Sequence, residues 1–396
     1  YESICNACPV NDEKLKAELD QTVNEWAASG YKTIAISIEK SGKIEFVGIA
    51  ALYDPPRVDS SIFIKELRKL GVNIKMLTGD AKPIAVEIAK QVGIGDQIEE
   101  PQVIREAISS DAKKAYEIAS KADGFCEVLP EDKFYIVKAL QSGNEIVGMT
   151  GDGVNDAPAL KQAEVGIAVS SATDIAKKAA SVVLLEEGLG TIVNLIKMGR
   201  IIHHRVLNWI VNKIVKTFQT VVFVCIAYLI TGKFVVSALD VVLLLFIIDF
   251  VTISFSTDNV RWSKKPAIFN IKPIVRVSVI VGILTVLESL FILYIADKNF
   301  HIFSNEHLLH SFGFGILLFS NIFNVFVIRE RGHFWESAPS KVLLVSMLCD
   351  VVVGILMIGF GIIVAKLPIA LLALLIFYII LASILNDFIK VALSKR

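Results

Sequence analysis

The chain contains 396 residues, of which 54% are hydrophobic, and its mean hydropathy is +0.60. These values exclude an ordinary water-soluble enzyme, and 40 basic residues balanced by 40 acidic ones give no indication of a nucleic-acid or other polyanionic partner. Most charged residues precede residue 200 and the long apolar runs follow residue 206, so we expect a polar folded region followed by a membrane region.

The polar region begins with a predicted amphipathic helix over residues 10–28 and a strand pair over residues 32–53. From residue 72 onward, short apolar segments alternate with helical patterns. Strands are predicted at 72–80, 145–152, 165–170 and 181–186, and helices at 81–93 and 131–143. This alternation predicts a parallel, doubly wound sheet, whose ligands bind beyond the carboxyl ends of the strands.

The same three residues, Thr-Gly-Asp, stand at the ends of two of these strands. The segment 78–80 (TGD) closes one strand, and the segment 150–156 (TGDGVND) closes another. A threonine hydroxyl and the nearby Lys133 can hold phosphoryl oxygens, and Asp152 and Asp156, four residues apart on a turn, can hold Mg²⁺. The pattern predicts phosphoryl transfer, in which catalysis is mostly positioning and charge neutralisation.

The individual signals differ in specificity. The short TGD segment is also an ordinary turn, and Lys133 alone would be a solvated helix residue. The longer segment around Asp152 is chemically specific. Cys5 and Cys8 form a CxxC pair without a second pair or nearby histidines, so we expect neither a metal site nor a redox site there.

Six apolar runs are long enough to cross a bilayer, which takes about 20 residues. They are predicted near Leu207–Ile230, Val235–Phe255, Ile274–Ala296, Leu308–Ile328, Val342–Ala365 and Leu367–Phe388. Basic residues are concentrated in the loops 256–273 and 329–341 and in the C-terminal tail. The positive-inside rule therefore predicts that these loops and residues 1–200 lie in the cytoplasm.

Ionisable residues inside the predicted spans are candidates for function, because each is costly to place in hydrocarbon. They are Lys213, Lys216, Asp249, Glu288 and Asp350. Such residues can also lie near an interface, snorkel, or pair to hold the bundle together, which is the interpretation adopted for Glu288 and Asp350. Asp249 is flanked by apolar residues on both sides, so it is the predicted cation-carrying residue.

Asp249 and Lys216 are predicted to lie at similar depths. Asp249 precedes Asp258, at the predicted cytoplasmic edge, by nine residues. Lys216 follows Arg205, at the same edge, by eleven. At about 1.5 Å per residue, both lie roughly 14–17 Å deep, and the short hairpin 231–234 makes the two helices neighbours. We therefore predict Lys216 as the counter-charge of Asp249, with snorkelling of the lysine to the interface as the alternative.

Motifs along nearly the whole chain resemble those of the P-type ATPases, which are ion pumps with a haloacid-dehalogenase-like phosphorylation domain. The motifs are DPPR at 54–57, MLTGD at 76–80, PEDK at 130–133, MTGDGVNDAPALK at 149–161 and VGIAVSSATDIAKKAASVVLL at 165–185. The resemblance implies an α/β doubly wound phosphorylation domain followed by an all-α bundle of six transmembrane helices.

The resemblance also implies roles for nine residues, in three groups. They are the Mg²⁺ ligands Asp152 and Asp156, the phosphorylation-site residues Thr78, Gly79, Asp80, Lys133 and Asn155, and the nucleotide contacts Asp54 and Arg57. The cofactors implied are Mg²⁺ and ATP, and the partners are the lipid bilayer and the transported cation.

Within this family the chain is most similar to the plasma-membrane proton pumps. The segment IIDFVTISFSTDNV resembles their sixth span, which carries an aspartate at the position of Asp249. Calcium pumps have more oxygen ligands in the two matching spans, at places that Thr220, Leu245 and Ile248 occupy here. The resemblance therefore implies a proton rather than a divalent cation.

The chain also departs from the family pattern. The phosphorylated DKTGT motif, the TGE motif and the first four spans do not occur in it, and Gln219 stands where the proton pumps have an arginine. We therefore expect the C-terminal half of a pump, inactive without its N-terminal half. Its expected parts are the end of a nucleotide-binding domain at 1–50, the phosphorylation domain at 51–200 and the transmembrane domain at 201–396.

The sequence thus predicts the C-terminal part of an ATP-driven pump that exports protons across the plasma membrane. Two alternatives stay open. The first is a P-type pump for magnesium, calcium or a monovalent cation. The second is a membrane-anchored phosphatase of the haloacid-dehalogenase type, or an inactive pump fragment.

Overall fold

The computed structural model describes residues 13–40, 43–186, 188–266 and 271–394. The described residues form two compact units. The sheet unit comprises those up to Ile196 together with Lys264–Pro266, and the membrane unit comprises Lys197–Ser263 and those after residue 270. Cys5 and Cys8, for which no site is predicted, lie outside the described residues.

The sheet unit begins with helix α1 (Glu13–Ala28) and a hairpin of strands β1 (Tyr31–Lys40) and β2 (Lys43–Tyr53). The two strands are antiparallel, and Tyr31 pairs with Tyr53. Gly30, at φ +85, makes the tight connection from the helix to the first strand. The predicted strand pair is therefore confirmed.

The rest of the sheet unit alternates short strands with helices. The strands are β3 (Met76–Leu77), β4 (Ile98–Glu99), β5 (Gly124–Phe125), β6 (Gly148–Gly151), β7 (Val165–Ala168) and β8 (Val182–Val183). The helices are α2 (Ser60–Lys69), α3 (Lys82–Val92), α4 (Gln102–Ser110), α5 (Ala112–Lys121), α6 (Pro130–Ser142), α7 (Ala157–Gln162) and α8 (Asp174–Ala179). Among the described residues the strands form two parallel sheets, ordered β3-β5-β4 and β6-β7-β8. The predicted parallel α/β fold is confirmed.

Leu77 of β3 joins the cores beside the two parallel sheets. It packs against the cluster that contains Phe125 and Ile136, and also against the cluster that contains Met149 and Leu160. The carboxyl ends of β3 and β6, which carry the predicted site residues, therefore adjoin a common apolar core.

The membrane unit contains six helices long and apolar enough to cross a bilayer, counted over the part of the chain that the structure describes. They are α9 (Leu189–Thr231), whose first turns belong to the sheet unit, α10 (Ala238–Ser254), α11 (Ile271–Phe300), α12 (Glu306–Arg329), α13 (Lys341–Phe360) and α14 (Ile369–Ser394). The predicted number of spans is confirmed. The fifth span was predicted too long, because Gly361 adopts a left-handed conformation at φ +75 and ends α13 there.

Helix α12 is the most buried of the six. Its last residue, Arg329, forms a fully buried ion pair with Asp258. Arg329 donates through Nε and Nη2 to the two carboxylate oxygens of Asp258, at 3.0 and 3.3 Å. Its guanidinium also donates to the main-chain carbonyls of Asn259, Ser337 and Ala338. This arrangement, the Arg329–Asp258 pair, fastens the end of α12 to the segment that follows α10.

Candidate active site

The turn after β6 is organised around the buried carboxylate of Asp156. Its Oδ2 accepts from the backbone N–H groups of Asp152 and Gly153 at 3.0 and 3.1 Å. Its Oδ1 accepts from Lys133 Nζ at 2.6 Å. Asp156 is only 4% exposed, so this side chain fixes the turn from inside while the Asp152 side chain is left exposed.

The charge state of Asp156 follows from these contacts. Burial alone would raise the pKa of this carboxyl group, but the Lys133 ammonium and the N–H groups of Gly153 and Asp152 outweigh it, and the pKa lies below the ordinary 3.8. Asp156 is therefore ionised at neutral pH and forms a charge-assisted link between the turn and helix α6.

Lys133→Met should destabilise the sheet unit at neutral pH by about 1–3 kcal/mol, because Asp156 would stay buried without its cation. A lowered carboxyl pKa gives stability that is complete above the unfolded value and is lost as the pH falls through the folded value. The difference between wild type and variant should therefore shrink below about pH 4. Thermal unfolding of the full chain in detergent, monitored by circular dichroism at several pH values, measures this difference in stability. A difference that does not depend on pH would contradict this account.

Gly151 is required by the close approach of Asp156 to the last residue of β6. A Cβ at position 151 would lie 2.5 Å from the Asp156 Cβ, whereas a Cβ at Gly148, in the same strand, would meet its nearest atom at 3.9 Å. Gly151→Ala should therefore destabilise the sheet unit by about 1–3 kcal/mol, while Gly148→Ala should change its stability by much less. Thermal unfolding of the two variants side by side tests the prediction, and equal effects would refute it.

The predicted TGD segment forms a compact turn after β3. Thr78 Oγ1 donates to Asp80 Oδ2 at 2.9 Å, and the backbone N–H of Asp80 donates back to Thr78 Oγ1 at 3.1 Å. Lys32 of β1 reaches this turn, with Nζ 2.6 Å from Asp80 Oδ1. The hydrogen bond to Asp80 raises the pKa of Lys32. Lys32 was not predicted from the sequence, because nothing local relates the hairpin to the turn.

A pocket of about 190 Å³ lies beside this turn. Its lining includes Asp54, Asp80 and Lys32, together with the apolar side chains of Ile84 and Ile88. The pocket thus offers one ammonium and two carboxylates against an apolar wall. Two predicted residues, Asp54 and Asp80, are brought together here, whereas Arg57 is exposed and does not line the pocket.

The fit of Mg²⁺ to the turn rests mainly on Asp152. Mg²⁺ is usually held by one or two carboxylates, with water and phosphate oxygens completing the octahedron, and Asp152 presents an exposed carboxylate. Both Asp156 oxygens already accept hydrogen bonds, so its direct ligation of Mg²⁺ stays a prediction. Asn155 is exposed beside Asp152. No group of three or more His, Cys, Asp or Glu residues that could hold a metal occurs among the residues described.

In the membrane unit, two lysines of α9 lie beside Asp249 of α10. Lys213 Nζ is 3.4 Å and Lys216 Nζ is 3.9 Å from Asp249 Oδ1. The side chain of Lys216 is 5% exposed, while those of Lys213 and Asp249 are 37% and 52% exposed. Lys216 is the predicted counter-charge, but Lys213, for which the sequence predicts no partner, is the closer of the two.

Gln219, one turn further along α9, is fully buried and donates through Nε2 to Ser289 Oγ of α11 at 3.0 Å. This is the position where the resemblance would place an arginine. A neutral carboxamide stands there instead, and it links α9 to α11 without adding a third positive charge beside Asp249.

The parallel sheets of the sheet unit form a haloacid dehalogenase-like domain, and residues 12–164 match the family model described as haloacid dehalogenase-like hydrolase. A proposed cation-transporting ATPase of Methanocaldococcus jannaschii is 38% identical over 99% of this chain and 49% of its own length. Plasma membrane ATPase 1 of Schizosaccharomyces pombe is 34% identical over 84% of this chain and 37% of its own length. Plasma membrane ATPase 2 of Saccharomyces cerevisiae is 34% identical over 83% of this chain and 35% of its own length.

With these relatives, the haloacid dehalogenase-like domain and the six apolar helices, the chain is similar to the P-type ATPases along nearly its whole length. The resemblance stated from the motifs is thereby confirmed. The chain spans half or less of the length of these relatives. It is a membrane protein in which the haloacid dehalogenase-like domain precedes the membrane helices.

Proposed function

We propose that this chain is the C-terminal part of an ATP-driven pump that exports protons across the plasma membrane, with residues 1–200 on the cytoplasmic side. Residues 1–50 would end a nucleotide-binding domain, residues 51–200 would form the phosphorylation domain, and residues 201–396 would form the transmembrane domain. The names of the relatives, a cation-transporting ATPase and plasma membrane ATPases, support an ATPase that moves a cation.

The observation that carries the choice of a proton is the cluster of one carboxylate and two ammonium groups in the predicted spans. Lys213 and Lys216 both lie within 4 Å of the Asp249 carboxylate. A divalent cation needs several oxygen ligands, and two neighbouring positive charges oppose its binding. A proton needs only one oxygen of Asp249, so the cluster favours a proton over calcium or magnesium.

The residues of the sheet unit would position the phosphoryl group. The Thr78 hydroxyl, the Asn155 amide and the Lys133 ammonium, which has N–H donors besides the one used by Asp156, would hold its oxygens. Asp156 would keep the turn rigid. Bound Mg²⁺, held by Asp152, would supply charge neutralisation. Asp54 and Arg57 would contact the nucleotide.

The acceptor aspartate would lie on a strand outside this chain. Among the described residues, β3 and β6 each pair with a single strand, and both end at the proposed site. Leu77 packs against the cores beside both sheets, so one further parallel strand between β3 and β6 would unite them. Its carboxyl end would then bring an aspartate to the TGD and TGDGVND turns.

Phosphorylation of the full-length protein with γ-labelled ATP and Mg²⁺ tests the enzymatic part. We expect an acid-stable, hydroxylamine-sensitive label that Asp152→Asn abolishes and Glu131→Gln, at an exposed position near the start of α6, retains. This chain alone should take up no label. Normal labelling of the Asp152→Asn protein would overturn the site assignment.

Transport by the same protein in sealed vesicles identifies the cation. Acidification that requires ATP and no other specific cation is the expected result. If the ATPase activity depends instead on sodium, potassium, calcium or magnesium transport, the pump carries another cation. Phosphatase activity without any transport would favour the membrane-anchored phosphatase.

A further inference from the structure

A polar cavity lies within the membrane unit, among α11, α12 and α14. Its volume is about 10 Å³, close to the least that holds one water molecule. Most of its lining residues carry a hydroxyl, amide or carboxyl group, although the helices that contribute them are predominantly apolar. Neither the proposed phosphoryl transfer nor the Asp249 cluster uses this cavity.

The carboxylate of Glu288 supplies the only acidic group in the described lining of the cavity. Asn386 Nδ2 donates to Glu288 Oε2 at 2.9 Å, and the Tyr378 hydroxyl donates to the main-chain carbonyl of Glu288 at 3.1 Å. Among the described lining residues no other side chain carries a charge at neutral pH, and Tyr378 is the only other titratable one. An ionised carboxylate is costly in a membrane helix, so Glu288 requires a proton or another cation.

Two buried carboxamides beside Glu288 have unused hydrogen-bonding capacity. Asn386 is 1% exposed and Asn324 is 2% exposed. Within the described part of the chain, Asn386 Oδ1 and Asn324 Nδ2 have no hydrogen-bond partner. Asn386 already has a free oxygen. Rotation of the Asn324 carboxamide by half a turn exchanges its oxygen and nitrogen without changing its shape, so Asn324 can present an oxygen as well.

The charge and the size of the cavity select the class of ligand. One carboxylate with neutral oxygens matches a single positive charge, whereas Ca²⁺ takes six to eight oxygens and Mg²⁺ keeps several waters. A cavity for one water molecule has no room for a hydrated divalent ion. We infer that Glu288, Asn324 and Asn386 form a second cation site, which takes one small monovalent cation: a proton with its water molecule, or a sodium ion.

This site is connected to the helix that carries the lysines beside Asp249. Ser289, which lines the cavity, accepts a hydrogen bond from Gln219, and Gln219 follows Lys216 by one turn of α9. The two cation sites therefore adjoin a common helix. The inference concerns this chain's own residues and does not depend on the proposed proton export or on phosphorylation.

Two measurements on the purified full chain in lipid nanodiscs identify the ligand. In the first, binding of ²²Na⁺ is measured at equilibrium with choline chloride as the background salt. If the site takes sodium, one ion should bind per chain, and lowering the pH should displace it. In the second, infrared difference spectra are recorded as the pH is raised, and the proton form shows a carboxyl C=O band of Glu288 that disappears on deprotonation. Either result supports the site.

Variants tie the signal to the cavity. Glu288→Gln should abolish the sodium uptake or the carboxyl band. Asn386→Leu should weaken sodium affinity at least about tenfold or shift the Glu288 band, and this variant decides the question if Glu288→Gln does not fold. Asp350→Asn, at a buried carboxylate of α13 outside the cavity, should leave it unchanged. The inference is overturned if wild type shows neither signal, if the signal survives Glu288→Gln, or if Ca²⁺ competes as strongly as sodium.

Discussion

Replacing Asp249 by asparagine in the full-length protein should reduce ATP-driven acidification of vesicles at least about a hundredfold, because an amide of the same shape does not take up and release a proton. The two lysines of α9 would remain, 3.4 and 3.9 Å from the altered side chain, so the fold of the cluster should change little. Phosphoenzyme formation can survive, since Asp249 belongs to the membrane unit and the residues proposed for phosphorylation belong to the sheet unit.

The matched control is Asp240→Asn in the same helix. Asp240 accepts from the backbone N–H and the hydroxyl of Ser237 at the start of α10, and an asparagine oxygen can accept the same bonds. This variant should transport at nearly the wild-type rate. Undiminished acidification by Asp249→Asn, in vesicles with equal amounts of folded protein, would rule out the carrier role.

The same assay separates the two lysines. Lys216 is buried and was predicted as the counter-charge, while Lys213 is closer to the carboxylate but more exposed. An exposed ion pair contributes less than a buried one because solvent or lipid headgroups can replace it. Lys216→Gln should therefore change the pH dependence of transport more than Lys213→Gln does, and the reverse order would assign the counter-charge to Lys213.

Arg329→Met should destabilise the membrane unit by about 3–5 kcal/mol, because it leaves the buried Asp258 carboxylate without its cation. The variant also leaves the carbonyls of Ser337 and Ala338 without the guanidinium that now donates to them. Unfolding of the purified full chain in mixed micelles by increasing denaturing detergent measures the change.

Arg331→Met is the control for this prediction, since it makes the same substitution two residues further along at an exposed position. Its effect should stay below about 0.5 kcal/mol. Adding Asp258→Leu to Arg329→Met should restore part of the lost stability, because the unpaired charge is removed. A loss below about 1 kcal/mol for Arg329→Met alone would show that the pair contributes little.

The features predicted from the sequence are those with a strong local signal. Long apolar runs predict the six membrane helices, and the alternation after residue 72 predicts the parallel sheets. The strand predicted at 72–80 contains only Met76–Leu77 as regular strand, because its neighbour β5 offers just two residues for pairing. Helices α4 and α5 were not predicted, although Asp111 gives a capping signal by accepting from the N–H groups of Lys113 and Lys114.

The remaining site contacts depend on tertiary structure. Lys32 meets Asp80 only because the hairpin folds over the turn after β3, and Lys133 meets Asp156 across 23 residues of chain. The polar cavity at Glu288 combines side chains of three helices, and the sequence does not show which of these helices are neighbours. For the same reason Glu288 was interpreted from the sequence as a packing or interface residue.

The Arg329–Asp258 pair also has a consequence for biosynthesis. Asp258 leaves the ribosome 71 residues before Arg329. At roughly 5–20 residues per second, this separation corresponds to about 4–14 seconds of translation. Throughout that interval the carboxylate lacks the Arg329 guanidinium with which it is buried in the folded unit. The buried pair can therefore form only after α12 has been synthesised, and a nascent chain arrested between the two helices holds Asp258 without this partner.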